Sequence, residues 1–399
     1  MVVFIREAGQ VLTMEEGLGV KENISILIED GKILKIGKIK PPSEAVIIDA
    51  RGCLVMPGLI DAHTHLVFAG SRADEMVMRL QGMSYAEIAE RGGGIMRTVQ
   101  ATRRASEEEL YQQAQKNLST LLAQGTTTLE IKSGYGLSLK DELKILKVIR
   151  RLKETNQVDV VATFLGAHVI PPGWKRKRYV EAIVEEMLPA VARQGLADFC
   201  DVFMEEIAFH KKETEAIFKT ARSLGLGLKI HADELTNCKG AELAGRFRTT
   251  SADHLIYTDR EGIDWLKRGG VVPVLLPGTA LFLKIRKKPD IPYMLKRRLP
   301  VTIASDFNPG TCMVNSMFLI IGLACFLYDL PLEDALLGAT INAARALRLD
   351  QKLGSLKVGK QADILILGLK DYREIPYRFG HNFIKSVIKK GVVVYEQDR

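Results

Sequence analysis

The 399-residue sequence predicts an α/β protein: a (β/α)8 TIM barrel with a small composite β-sandwich domain built from both chain ends. Two observations predict it. Through the middle of the chain, eight apolar strand-like segments alternate with amphipathic helical ones, the pattern of a parallel sheet with crossover helices. Both ends instead read as short strands joined by tight turns. The predicted division is 57–356 for the barrel and 1–56 plus 357–399 for the composite domain.

The β-rich ends come first. Residues 24–28 (ISILI) run into Glu29-Asp30-Gly31-Lys32 and then 33–36 (ILKI), and apolar runs flanking Asp-Gly signal a hairpin. The C-terminal end repeats the device: 362–367 is a strand, and 384–388 turns through Lys389-Lys390-Gly391 into 392–395. The eight barrel strands are expected at 59–62, 126–131, 160–165, 199–203, 227–230, 250–253, 271–276 and 301–304. Helices are expected between most of them, for example at 107–124, 140–152, 178–191 and 213–224. A doubly wound open sheet is the alternative, but no GxGxxG follows a strand, and Gly92-Gly93-Gly94 is an isolated glycine run in a loop.

Composition narrows the classes. Hydrophobic residues make up 47% and charged residues 26%, ordinary for a globular chain. No apolar run reaches the ~20 residues of a membrane-spanning helix; the stretch 317–330 comes nearest and reads as a buried helix. The N-terminus lacks the features of a signal peptide, and the five cysteines (53, 200, 238, 312, 325) form no CxxC pair. A reducing, cytoplasmic location and no membrane partner are expected, with the cysteines as buried small apolar residues rather than nucleophiles. Net charge is +8, with short basic clusters at 175–178, 284–288 and 296–298. A nucleic-acid binder with a structural metal is the rival from another class. The clusters lie far apart and are not interleaved with aromatics, so solvated surface and no nucleic acid is the expectation. The excess positive charge also suits a small anionic substrate.

The histidines carry the chemistry. Of seven, His63, His65, His168, His231 and His254 lie at or just past predicted strand ends, and His210 and His381 do not. C-terminal strand ends form the active-site face of a barrel. One such histidine is ordinarily structural; five at equivalent places point to a site. In Asp61-Ala62-His63-Thr64-His65 the two imidazoles sit at alternate positions, so both can face the barrel axis and suit zinc or ferrous iron. His231 and Asp306, at later strand ends, strengthen the motif.

Pro57-Gly58-Leu59-Ile60-Asp61-Ala62-His63-Thr64-His65 resembles the first-strand signature of the amidohydrolase superfamily. Within it, residues 65–72 (HLVFAGSR), 91–95 (RGGGI), 130–136 (EIKSGYG), 231–234 (HADE) and 306–311 (DFNPGT) resemble the imidazolonepropionase family. The blocks run in order from 57 to 311, and no ligand position departs from the pattern. The resemblance implies one divalent metal, Zn2+ or Fe2+ with Fe3+ as a further state, held by His63, His65, His231 and Asp306. It implies substrate contacts from Arg72, Tyr135, His168, Glu234, Asn308, Gly310 and Thr311. The implied reaction adds water to 4-imidazolone-5-propanoate and gives N-formimidoyl-L-glutamate, a step of histidine degradation.

The residue types fit that chemistry. A divalent metal lowers the pKa of water from 15.7 towards roughly 7 and polarises a carbonyl. Glu234, three residues after His231, is placed to act as general base, and His254 to orient the water or stabilise an oxyanion. Asp306 combines ligand and proton carrier, leaving the identity of the base open among Glu234, His254 and Asp306. Arg72 offers a fork for a propanoate carboxylate. The plainer readings are a surface ion pair for Arg72, packing for Tyr135, and surface or supporting roles for Glu205 and Glu206. Some amidohydrolases carry a carbamylated lysine bridging two metals; Lys132 is expected instead to be a structural or supporting residue of a one-metal site. The runner-up function is a related cyclic amidohydrolase or a purine or pyrimidine aminohydrolase. The sequence leaves the oligomeric state open, with a homodimer as one candidate assembly.

Overall fold

A computed structural model describes residues 1–83, 87–88 and 91–397. The N-terminal strands are β1 (Val2–Leu12), β2 (Val20–Glu29), β3 (Lys32–Gly37), β4 (Val46–Asp49) and β5 (Leu54–Pro57). The barrel strands are β6 (Leu59–Asp61), β7 (Thr126–Lys132), β8 (Asp159–Ala167), β9 (Phe199–Met204), β10 (Gly227–Ala232), β11 (Ser251–His254), β12 (Val272–Leu275) and β13 (Thr302–Ile303). The last three are β14 (Ile364–Leu367), β15 (Ile384–Lys389) and β16 (Val392–Glu396).

Both chain ends do contribute to one β-rich unit. Its strands run in the order β16-β15-β14-β5-β1-β2-β3, with β4 on β1. The unit is thus one hydrogen-bonded path folded around its own core of Ile5, Ile26, Ile28, Val55, Ile364 and Ile366, rather than two unconnected layers. The antiparallel β5–β14 pair joins the two ends of the chain. The Asp30-Gly31 turn has φ of 48° and 76°, both positive as a two-residue type I′ hairpin requires.

All eight barrel strands form, paired in parallel in sequence order from β6 to β13. Their near-continuous burial is that of strands covered on both faces. The last gap closes beyond the ends of β6 and β13: the His65 amide donates to the Phe307 carbonyl at 2.9 Å and the Asp306 amide to the His63 carbonyl at 3.0 Å. The apolar stretch after β13 becomes a buried helix, Met317–Tyr328.

The barrel interior is layered. At the strand starts, Ile60, Val161, Phe199, Val272 and Val274 pack on the helix Ile341–Ala346 and seal that end. One step along the strands, the inward positions hold Glu130, Lys132, Asp201, Lys229 and Asp253, all fully buried. Beyond them lie the histidines. A sealed base and a polar middle leave the C-terminal rim as the face where chemistry is positioned.

Candidate active site

The five rim histidines converge. Ring centroids are 4.5 Å apart for His63–His231, 5.3 Å for His63–His65, 5.3 Å for His65–His168 and 5.2 Å for His231–His254. His210 instead precedes the helix Lys211–Ser223, and His381 is exposed. Donor atoms of His63, His65 and His231 lie within 4.8 Å of one another. Asp306 Oδ1 is 3.5 Å from Nε2 of both His63 and His65, while its Oδ2 accepts a 2.5 Å hydrogen bond from Thr279. The φ of Asp306 is 52°, that of His254 77° and that of Asp233 51°. Left-handed backbone at non-glycine residues is strained and clusters where a site needs a side chain aimed off the strand direction.

The donor set fits a divalent metal. Nε2 of His63 and of His231 is buried without a hydrogen-bond partner. A buried orphan polar atom costs about 1–3 kcal/mol, and two aimed at one place, with a carboxylate beside them, are satisfied by a cation. Burial, aided by the Lys132 charge, pushes His63 well below its ordinary pKa; burial with the neighbouring histidines does the same for His65. Both are therefore neutral imidazoles, the ligand form. Burial lowers His231 too, but the Asp201 carboxylate beside its ring outweighs that and raises it. His63, Glu130 and Asp253 form a second close trio. Lysine ammonium groups fill that space: Lys132 Nζ is 3.0 Å from Glu130, and Lys229 Nζ is 2.8 Å from it.

Glu234 and His254 stand at the edge of this cluster, 3.6 Å apart. Burial, then the nearby Asp306 carboxylate, pushes Glu234 up to about 8, close to the working range of a general base. The loop after Glu234 is tied down by Glu205, whose Oε2 accepts from the amides of Leu235 at 2.9 Å and Thr236 at 3.2 Å. Glu205 is therefore a buried supporting residue, while Glu206 is exposed.

On the opposite side, Tyr135 and His168 flank His65, with Tyr135 5.7 Å from each ring. His168 Nδ1 lies 3.1 Å from the Gly134 carbonyl, which makes Nδ1 the donor and leaves Nε2 an acceptor. Gly134 has a φ of 109°, and a Cβ there would come within 2.9 Å of His168. The buried Glu142 carboxylate accepts the amides of Gly134, Gly136 and Leu137 at 3.0, 2.8 and 2.8 Å and so shapes the loop carrying Tyr135.

Arg72 is buried against Gly310, close enough that a Cβ on Gly310 would lie 2.2 Å from Nη1. One edge of its fork is already taken: Nε and Nη2 both reach Glu75 Oε2, at 2.9 and 2.8 Å. The Nη1 end lies at Gly310. Asn308 holds the turn beyond it, its Oδ1 accepting the amides of Gly310 and Thr311 at 2.8 Å each. Asn308 thus shapes the turn from within. A cleft of about 840 Å3 is lined by Arg72 and Gly310 but by none of the rim histidines.

The sequence profile of the Amidohydrolase family matches residues 54–394. The chain is 44% identical to the imidazolonepropionase of Shewanella amazonensis over 395 residues, 96% of each chain. It is 45% identical to that of Shewanella baltica over 388 residues, 95% of this chain and 94% of the other. The chain belongs to the imidazolonepropionase family of amidohydrolases. It is a hydrolase with the TIM barrel and added β-rich unit of that fold. Solved structures share the fold at lower identity. A 5-methylcytosine deaminase from Klebsiella pneumoniae superposes with a TM-score of 0.79 at 18% identity, covering 100% of this chain and 98% of that one. An adenosine deaminase from Xanthomonas campestris with bound zinc gives 0.73 at 18% identity, covering 99% and 93%.

Several residues that shape this family member's site escaped the sequence reading: Glu75, Glu142, Asp201, Asp253 and Thr279. Two left a visible signal. Asp201 interrupts the apolar run FCDVF and Asp253 sits directly before His254, and a charge in a buried strand requires a partner. The basic clusters are partly engaged in ion pairs: Arg176 with Glu213 at 2.8 Å, Lys288 with Asp329 at 2.7 Å and Arg297 with Asp264 at 2.7 Å.

Proposed function

We propose that the enzyme hydrolyses the ring amide of 4-imidazolone-5-propanoate and releases N-formimidoyl-L-glutamate, the ring-opening step of histidine degradation. The match to imidazolonepropionases over 94–97% of both chains carries this reading. In it, His63, His65, His231 and Asp306 hold one divalent metal, zinc or ferrous iron, with ferric iron also suited to the donor set. When bound, the metal supplies Lewis-acid polarisation and a source of hydroxide near neutral pH.

The chain's own residues do the rest. Glu234 takes the proton of the attacking water on a carboxylate oxygen as the new C–O bond forms at the ring carbonyl. The C–N bond then breaks, and that proton goes to the departing ring nitrogen, with Asp306 as the second carrier. Neutral His254, 3.6 Å from Glu234, orients the water and faces the developing oxyanion. Tyr135 and His168 border the ring, and Arg72 meets the propanoate with the edge that Glu75 leaves open. Asn308, Gly310 and Thr311 fix the turn behind it. The substrate is thus a small anionic heterocycle. Among the described residues no helix is long and apolar enough to cross a membrane. The proposed setting is the cytoplasm, with no nucleic-acid partner; Arg176 and Lys288 of the basic clusters are each paired with an acid. A homodimer is the proposed assembly.

A related cyclic amidohydrolase, or an aminohydrolase acting on a purine or pyrimidine, is the second reading. It rests on the deaminases that share the fold. The test is a parallel screen: loss of the imidazolone chromophore against ammonia release from cytosine- and adenine-type rings. Ring opening without deamination supports the first reading, and the reverse overturns it.

A further inference from the structure

The buried charge layer beneath the histidines is not used by the mechanism above. Lys132, on β7, is fully buried and its Nζ reaches carboxylates on three strands: Asp201 at 2.7 Å, Glu130 at 3.0 Å and Asp253 at 3.5 Å. Two of these carboxylates also address histidines of the site. Asp253 Oδ2 is hydrogen-bonded to His63 Nδ1 at 2.6 Å, and Asp201 Oδ2 stands beside His231 Nδ1 at 3.1 Å as an ion-pair contact without hydrogen-bond alignment. The same oxygen atoms, Oδ2 in both residues, serve the lysine and the imidazole. Glu130 is held separately by Lys229 and by the Thr163 hydroxyl. Asp253 Oδ1 accepts from Ser251 at 2.7 Å.

We infer that Lys132 is a positioning residue: its ammonium fixes Asp253 so that it takes the Nδ1–H of His63 and holds Asp201 against the Nδ1 edge of His231, turning Nε2 of both rings towards the site. The physics is that of an imidazole's two nitrogens. In the neutral ring, a proton held on Nδ1 leaves Nε2 as the only lone pair. A carboxylate beside Nδ1 fixes that choice, and such outer partners are worth roughly 10–100-fold in metal affinity. Two carboxylates buried this close repel each other and would protonate or swing away without a cation between them. The Lys132 ammonium is that cation. It also occupies the space enclosed by Glu130, Asp201 and Asp253, so the three carboxylates are not free to take a second metal.

The inference rests on the metal site proposed above, so the deciding measurement uses metal-free protein. Nitrogen-15 NMR of histidine-labelled apo protein should report the Nδ1–H tautomer for His63 and His231, assigned by single His→Gln variants. In Lys132→Met, judged folded by circular dichroism, both rings should become tautomer mixtures. Competition with a chromogenic chelator should show zinc held about 10–100-fold more weakly. Lys132→Arg should restore both readouts in part. Unchanged tautomers in folded Lys132→Met overturn the inference, whatever the activity. If that variant does not fold, the lysine-labelled native chain decides. A protonated, solvent-protected Lys132 ammonium with a hydrogen-bond coupling to Asp201 upholds the inference, and a neutral or freely exchanging amine overturns it. Wild-type tautomers as expected together with no metal binding would sink the metal reading and leave this one standing.

Discussion

At the scale of single residues, the proposed roles of Arg72 and Glu234 separate specificity from chemistry. In the proposed reaction the carboxylate that Arg72 binds is remote from the bond that breaks. A hydrogen bond to a charged group is worth about 1.5–3 kcal/mol, or roughly one to two orders of magnitude in kcat/KM. Arg72→Met should lose that much on the propanoate substrate, mainly through KM, and little on an imidazolone bearing a methyl group instead. Equal loss on both would show that the Arg72–Glu75 pair supports the fold and does not bind the tail. Glu234→Gln should lower kcat by ~10²–10⁴-fold and remove the acid limb of the pH–rate profile, since the base must be ionised to act. A variant that keeps the limb and stays within a few fold of wild type moves the role to Asp306. The placement of both residues near the histidines or the 306–311 turn was legible in the sequence because each stands in a motif. Glu75 and Thr279, which hold Arg72 and Asp306 in place, were not. They touch the site through the fold, from helices after β6 and β12, and no spacing announces that.

At the scale of elements, the strands were read well and their ends less well. Apolar runs mark where a barrel strand is buried, and all eight appear, yet β13 has only two residues where four were expected. The reason is closure: the chain past β13 pairs with the segment after β6, at 63–65, so hydrogen bonding is shifted beyond the apolar run. The helix at 178–191 is interrupted by a π-helical turn, Ile183–Met187, just ahead of Pro189, which has no amide hydrogen to continue an α-helix. The 133–137 loop illustrates what pattern alone misses. Its shape depends on Glu142, a residue that reads as one more acid in the first turn of the helix Leu139–Thr155. Gly134→Ala forces a Cβ into His168 and into a backbone conformation that glycine alone tolerates, at a cost on the order of 1–3 kcal/mol. KM should rise while metal content stays at the wild-type level; loss of metal in that variant would place the loop in the metal site itself.

At the scale of the whole molecule, the β-rich unit is latched to the barrel by one buried charge. Lys389 Nζ lies 2.6 Å from Asp363 within the β-rich unit and 2.8 Å from Asp159 at the start of β8. Gln361 donates to both carboxylates at 2.8 Å each. Breaking a buried pair costs about 3–5 kcal/mol, so Lys389→Met should lower Tm sharply while kcat of the folded fraction is unchanged. Burial pushes the Asp159 carboxyl up, but the Lys389 charge and the hydrogen bonds from Lys389, Gln361 and Lys390 outweigh it and hold the carboxyl well below the usual range. Its contribution is therefore present above the unfolded value, about 3.9, and lost as pH falls towards the folded one. Thermal melts from neutral pH down to about pH 3 should show less acid destabilisation in Lys389→Met than in wild type. A parallel decline in the two proteins would remove the latch from the account. In the proposed reaction one metal, held by His63, His65, His231 and Asp306, drives ring opening. The most direct test is to strip the protein with a chelator and titrate it with zinc or ferrous iron while following turnover of freshly made imidazolonepropanoate. Activity should be absent at the start and reach its plateau at one equivalent per chain; a plateau at two equivalents, or full turnover in the metal-free chain, would contradict it.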